Sequence, residues 1–145
     1  MTDRIETAAR RALLIQRLAL ALFLLVWAVD KIVNPGHAAG VFARFYGIDI
    51  AEGMSVWIGV AEVLLVAAFA LGLFKFWTYL AFFVFHLVST VSSWKIYLAL
   101  YGEGGNLLFW AAIPVLAAFW VQFALRDLDT LTLDDWLADR RAGRA

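Results

Sequence analysis

The sequence predicts an all-α integral membrane protein, a four-helix bundle with both termini in the cytoplasm, and three observations predict it. Hydrophobic residues make up 64% of the 145 positions and charged residues 17%, against roughly 45–50% and 25% in soluble globular domains. A domain this small cannot hide so much apolar surface from water. Four apolar runs, residues 12–29, 54–74, 76–93 and 107–125, each hold 18 to 21 residues, close to the ~20 that a helix needs to cross about 30 Å of hydrocarbon. A membrane barrel would show short alternating segments instead. Finally, the basic residues are unevenly shared between the two sides that four spans define.

Taken in order, the first run ends in Asp30-Lys31 with no small-residue cleavage site, so it reads as a retained span and not a signal peptide. The eleven residues before it, with Arg4, Arg10 and Arg11, are expected to form a short amphipathic helix on the membrane surface. In the first outer loop, Asn34-Pro35 offers an N-cap followed by proline at the first helical position. Val41, Phe42, Phe45 and Tyr46 then recur at helical spacing, predicting a short interfacial helix over 36–46, with a loop packed by its aromatics as the alternative. Little more than Lys75 separates the second and third runs, which forces an antiparallel hairpin. Tyr101-Gly102-Glu103-Gly104-Gly105 reads as a turn, Asn106 as the cap of the fourth helix, and Pro114 as a kink within it. In the polar tail, Thr132 and Asp135 resemble a capping box ahead of Trp136, Leu137 and Arg140-Arg141, predicting a short amphipathic C-terminal helix. The whole chain, 1–145, reads as one membrane domain.

Orientation follows from the basic residues. The side of the termini and of Lys75 holds Arg4, Arg10, Arg11, Lys75, Arg126, Arg140, Arg141 and Arg144, and the other side holds Lys31, Arg44 and Lys95. This excess assigns the termini to the cytoplasm. Trp27, Trp57, Trp77 and Trp94 fall near span ends, where aromatic belts form.

Composition also excludes functions. The formal net charge is zero, so the chain lacks the basic field that a nucleic-acid partner requires. With no cysteine, thiol relays, thiolate metal sites and thiol-attached haem are excluded. His37 and His86 lie on different elements, so no metal site is expected from them.

Ionisable groups inside a bilayer cost at least ~2.5–3.5 kcal/mol near its centre, which singles out Arg17, Glu62 and His86. By the rise of ~1.5 Å per residue, Arg17 lies roughly 8 Å above the cytoplasmic end of its span, Glu62 roughly 18 Å and His86 roughly 15 Å. Ser89 or Thr90, Ser93 and Tyr97 follow His86 along one helical face, and Gln122 lies near the depth of Arg17. Arg17, Glu62, His86, Ser89 and Gln122 thus form a candidate intramembrane polar cluster, and Asp30 with Lys31 an outer-face charged pair. The cluster can simply fix helix register, bind a ligand or serve redox chemistry. Ion translocation is disfavoured with a single acidic midspan residue. Arg17 either snorkels to headgroups or turns inward, and if it turns inward Glu62 is its expected acidic partner.

Several segments resemble the DoxX family of small bacterial membrane proteins. Arg17-Leu18-Ala19-Leu20 running on to Trp27-Ala28-Val29-Asp30-Lys31 is similar to that family's first helix. Glu62-Val63-Leu64-Leu65 and Leu71-Gly72-Leu73-Phe74-Lys75 resemble its second helix and turn, although Thr-Arg is more usual there than Lys75-Phe76. Thr132-Leu133-Asp134 resembles its common ending. The resemblance spans about residues 13 to 134, and Arg17, Lys31 and Glu62 fit the family pattern while His86 does not align to it. It implies a four-helix protein of the bacterial inner membrane. Relatives include subunits of a thiosulfate:quinone oxidoreductase and membrane partners in oxidative-stress complexes. The resulting expectation is an accessory or small apolar-ligand-binding subunit of a membrane redox or stress-response assembly, not a self-sufficient enzyme. The alternatives are a quinone-linked oxidoreductase subunit and a structural scaffold. The partners expected are lipid, redox protein subunits or further copies of the chain, with quinone as the one candidate cofactor.

Overall fold

The computed structural model describes residues 2–99, 101–102 and 106–143. The turn expected over Glu103-Gly104-Gly105, and Arg144 of the basic count, lie outside the described residues. Every regular element is helical, with no strand among the described residues. Seven α-helices follow in order: α1 Thr2–Val33, α2 Pro35–Val41, α3 Glu52–Leu71, α4 Lys75–Ser92, α5 Trp94–Leu98, α6 Ala112–Ala124 and α7 Leu133–Arg141. A wider π-helical turn, Phe42–Tyr46, continues α2, and a 3-10 segment, Leu107–Ala111, leads into α6.

The separate surface helix expected before residue 12 is instead the first third of α1, which runs unbroken for 32 residues. Nothing in Thr2–Arg11 interrupts it: the stretch has no proline or glycine, and Glu6 pairs with Arg10 one turn later. The helix expected over 36–46 begins one residue earlier, at Pro35. Asn34 stands at its N-cap, but its side chain turns back to donate to Asp30 Oδ1 at 3.0 Å. Gly47, at φ 66°, ends the turn that follows. Asn106 caps the 3-10 segment through Leu108 N at 2.9 Å. The α-helix proper starts at Ala112, just before Pro114, which has no N–H to offer a preceding carbonyl. Helix α5 had no signal in the sequence reading.

Asp3–Val33, Glu52–Leu71 and Leu107–Ala124 are long and apolar enough to cross a membrane. The third expected span, 76–93, coincides with α4 and is not among them. At 18 residues α4 has the length, but Lys75, Thr78, His86, Ser89, Thr90 and Ser92 dilute its apolar character.

Helix α1 packs along α3 and α4 along α6, with smaller α1–α6 and α3–α4 contacts. The core between these two pairs holds Leu20, Leu24, Val66, Phe69, Tyr79, Phe82 and Phe119. Phe69, fully buried, has ring centroids of Tyr79 and Phe82 at 5.0 and 5.3 Å in edge-on geometry. Close approach of α1 and α3 depends on Gly59, where a Cβ would lie 2.7 Å from Ile32 Cγ1 and 2.8 Å from the Ala28 carbonyl oxygen. Ser55 Oγ beside it donates to the Lys31 carbonyl at 3.2 Å.

The hairpin turn is built from two left-handed residues. Gly72, at φ 67°, ends α3 while Leu73 N reaches back to Ala68 O at 2.8 Å, and Phe74, at φ 50°, starts α4. Gly72 is needed twice over: beyond its φ, a Cβ there would meet Thr132 Cβ at 2.5 Å and Arg17 Nη1 at 3.2 Å. Thr132 belongs to the tail, so the tail lies directly on the turn.

Candidate functional site

At the end of the molecule that carries the α3–α4 turn, a polar centre is sealed inside the apolar fold. Arg17, on α1, is 2% exposed, and Tyr79, Gln122 and Asp129 are each 0% exposed. Arg17 Nη1 donates to Asp129 Oδ2 at 2.5 Å. The same oxygen accepts from Tyr79 Oη on α4 at 2.7 Å and from Gln122 Nε2 on α6 at 2.7 Å. The other guanidinium nitrogens are used as well, Nε on the Ala70 carbonyl at 3.1 Å and Nη2 on the Leu131 carbonyl at 2.7 Å, while Nη1 also donates to Tyr79 Oη at 3.2 Å. Gln16 Nε2 extends the network to Ala118 O at 2.8 Å and Gln122 Oε1 at 3.3 Å. A guanidinium with donors in a fixed fork suits such a multi-acceptor site better than an ammonium would.

The tail that brings Asp129 here is itself pinned. Lys75 Nζ donates to the Asp129 carbonyl at 3.1 Å and to Asp135 Oδ2 at 2.7 Å, while Lys75 N, at the start of α4, donates to Asp134 Oδ2 at 3.0 Å. A carboxylate at that helix N-terminus complements both the free N–H and the dipole. Thr132 caps α7 by accepting from Asp135 N at 3.2 Å. The expected C-terminal helix therefore exists as α7, docked on the hairpin turn by its first residues.

At the opposite end, Lys31 Nζ lies 2.8 Å from Glu62 Oε2, each side chain 17% exposed. Lys31 also folds back one turn to donate to Trp27 O at 3.2 Å. Asp30, the other half of the expected outer pair, is engaged elsewhere, with His37 Nδ1 at 2.7 Å from its Oδ2 and Asn34 on its Oδ1. These contacts tie α2 to the end of α1, around a small cavity of about 20 Å³ lined by Trp27, Asp30, Lys31, Ala38, Val41 and Phe42.

The five residues expected to form one polar cluster thus separate. Arg17 and Gln122 meet at Asp129, and Glu62 faces Lys31 in place of Arg17. His86 Nε2 lies 3.2 Å from Ala112 O, its ring between Phe23 and Phe119 at centroid distances of 5.7 and 5.2 Å. Ser89 accepts from Ser93 Oγ at its backbone carbonyl at 3.0 Å, and Thr90 donates to His86 O at 2.7 Å, so these hydroxyls serve their own helix. Between α1 and α3 an open groove of about 310 Å³ is lined only by apolar side chains, Ala21, Leu22, Leu25, Val63, Val66, Ala67 and Ala70.

The sequence reading missed Asp129 and Tyr79. Asp129 gives no periodic signal, because α6 ends at Ala124 and the chain turns through Leu125–Leu128 before Asp129 returns under Gln122. The signal for Tyr79 is its place one turn into α4 after Lys75. Comparison with protein-family models, curated proteins and solved structures finds no match to this chain.

Proposed function

We propose that this is a DoxX-like protein of the bacterial inner membrane, a four-helix bundle of α1, α3, α4 and the Leu107–Ala124 helix with both termini cytoplasmic, acting as an accessory subunit of a membrane redox or stress-response assembly. The observation that carries this reading is how the costly charges are used. Arg17 and Glu62 are each spent on a partner within the chain, Asp129 and Lys31, and both pairs join separate segments. Charges so arranged fix helix positions. What the long helices turn outward is apolar: Ile15, Leu22, Trp57, Leu64, Trp77 and Trp120 are all exposed. Such a surface suits lipid and the flank of another membrane subunit. The apolar groove between α1 and α3 supports the narrower idea that a small hydrophobic ligand is held as well.

A quinone-linked oxidoreductase subunit is the second reading, favoured by that same groove. It loses ground because the groove offers a quinone ring no polar partner, and because Glu62 and His86 are committed to Lys31 and to the Ala112 carbonyl.

Purification from native membranes in mild detergent, through an N-terminal tag, tests the proposal. The expected result is a stoichiometric redox or stress-response protein retained with the chain. A chain that purifies alone, holds quinone and passes electrons to it from a donor would establish the enzyme reading instead. Topology is tested separately by C-terminal reporter fusions, where an active alkaline phosphatase would contradict the cytoplasmic placement.

A further inference from the structure

The pairs α1–α3 and α4–α6 meet along the seam of Leu20, Leu24, Phe69, Phe82 and Phe119. At the turn end they are also joined by polar atoms, and most of these joints converge on one residue of the tail. Asp129 Oδ2 accepts from Arg17 of α1, from Tyr79 of α4 and from Gln122 of α6, and the Asp129 carbonyl accepts from Lys75. Arg17 extends the connection to α3 through the Ala70 carbonyl. Most of the load falls on a single oxygen: Asp129 Oδ1 is buried and has no hydrogen-bond partner among the described residues, and beside it the direct bonds between the pairs are those of Gln16 Nε2 to the Ala118 carbonyl and Gln122 Oε1, and of Arg17 Nη1 to Tyr79 Oη at 3.2 Å.

We propose that Asp129 is a clasp through which the C-terminal tail holds the α1–α3 pair against the α4–α6 pair. Because three donors from three helices share one acceptor, loss of that acceptor unties both pairs together. The opening is local to the turn end. The other end is tied independently, by Ser55 and Lys31 within the α1–α3 pair and by the stacked rings of Phe45 and Phe109, 5.8 Å apart, between the first loop and the 3-10 segment. The inference does not depend on which assembly the protein joins.

The chain has no cysteine, so paired cysteines introduced for nitroxide labels report distances without background. One pair, Ile15→Cys with Ala124→Cys, spans the turn end on exposed positions of α1 and α6. A second, Val33→Cys with Leu107→Cys, spans the other end. In the full-length protein in lipid nanodiscs, Asp129→Leu, which removes the acceptor, is expected to shift the first distance distribution to longer values and broaden it, leaving the second unchanged. An unchanged first distribution, or equal broadening at both ends, would overturn the proposal. Should Asp129→Leu fail to accumulate, Tyr79→Phe combined with Gln122→Leu removes the α4 and α6 donors while Arg17 keeps its carboxylate. The clasp predicts broadening at the turn end alone for that variant, and no change there would refute it.

Discussion

The two ends of this molecule handle charge in opposite ways. At the turn end, Arg17 and Asp129 are 2% and 0% exposed by side chain, and three helices and the tail supply their remaining bonds. At the other end, Lys31 and Glu62 keep 17% of their side chains exposed, while Asp30 and His37 keep 22% and 57%. A sealed pair has traded all its hydration for partners, so removing one member strands the other. The partly open pair keeps a fallback, since Lys31 also holds the Trp27 carbonyl, so losing one partner costs less. Charge placed deep in such a fold is an architectural commitment, and charge at its rim is adjustable.

The largest effect that would sharpen this contrast is expected from Asp129→Ala. It leaves a buried guanidinium with no carboxylate, and should lower unfolding stability in mixed micelles by about 3–5 kcal/mol. A loss no larger than that of Glu62→Ala would break the comparison.

Next is Gly72→Ala. It forces a side chain into a left-handed position and onto Thr132, and each of those strains costs on the order of 1–3 kcal/mol. Alongside the loss of stability, the tail should become cleavable by trypsin at Arg126. Unaltered protection of that bond would show that the tail is not docked through Gly72.

A smaller effect, about 1 kcal/mol, is expected from Glu62→Gln, since the amide oxygen can still accept from Lys31, which also keeps the Trp27 carbonyl. Its effect should shrink further as salt is raised, whereas that of Asp129→Ala should not, because buried pairs are screened little. Equal salt dependence at the two ends would show that they do not differ in kind. Asp30→Asn, at the more exposed of the two pairs at that end, should give the smallest shift, one confined to the mobility of α2.

How far the sequence could be read follows the same division. Apolar runs of span length are a one-dimensional signal, and α1, α3 and α6 lie where the runs are. The capping residues Thr132 and Asn106 were legible because a cap is set by neighbours in sequence. Pairing across helices was not. Depth arithmetic put Arg17 and Glu62 inside the spans and sought their partners there. After α6, however, the chain turns through Leu125–Asp129, and Asp129 comes back under Gln122 from outside the span. Lys31 was placed at the outer face, but its long side chain folds down toward Trp27 O and reaches Glu62. His86 and Glu62 sit at similar estimated depths, but partner choice depends on helix rotation, which uniformly apolar helices do not encode in their periodicity.

The central claim is that Arg17 is held by the tail and not by the acidic residue of the second apolar helix. Two double-mutant cycles in the full-length protein test it most directly, one pairing Arg17→Leu with Asp129→Leu, the other pairing Arg17→Leu with Glu62→Leu. The account predicts strong coupling in the first, with the double variant recovering about 2 kcal/mol or more relative to the sum of the singles, and additivity within about 0.5 kcal/mol in the second. Additive losses for Arg17 and Asp129, with coupling between Arg17 and Glu62, would contradict it.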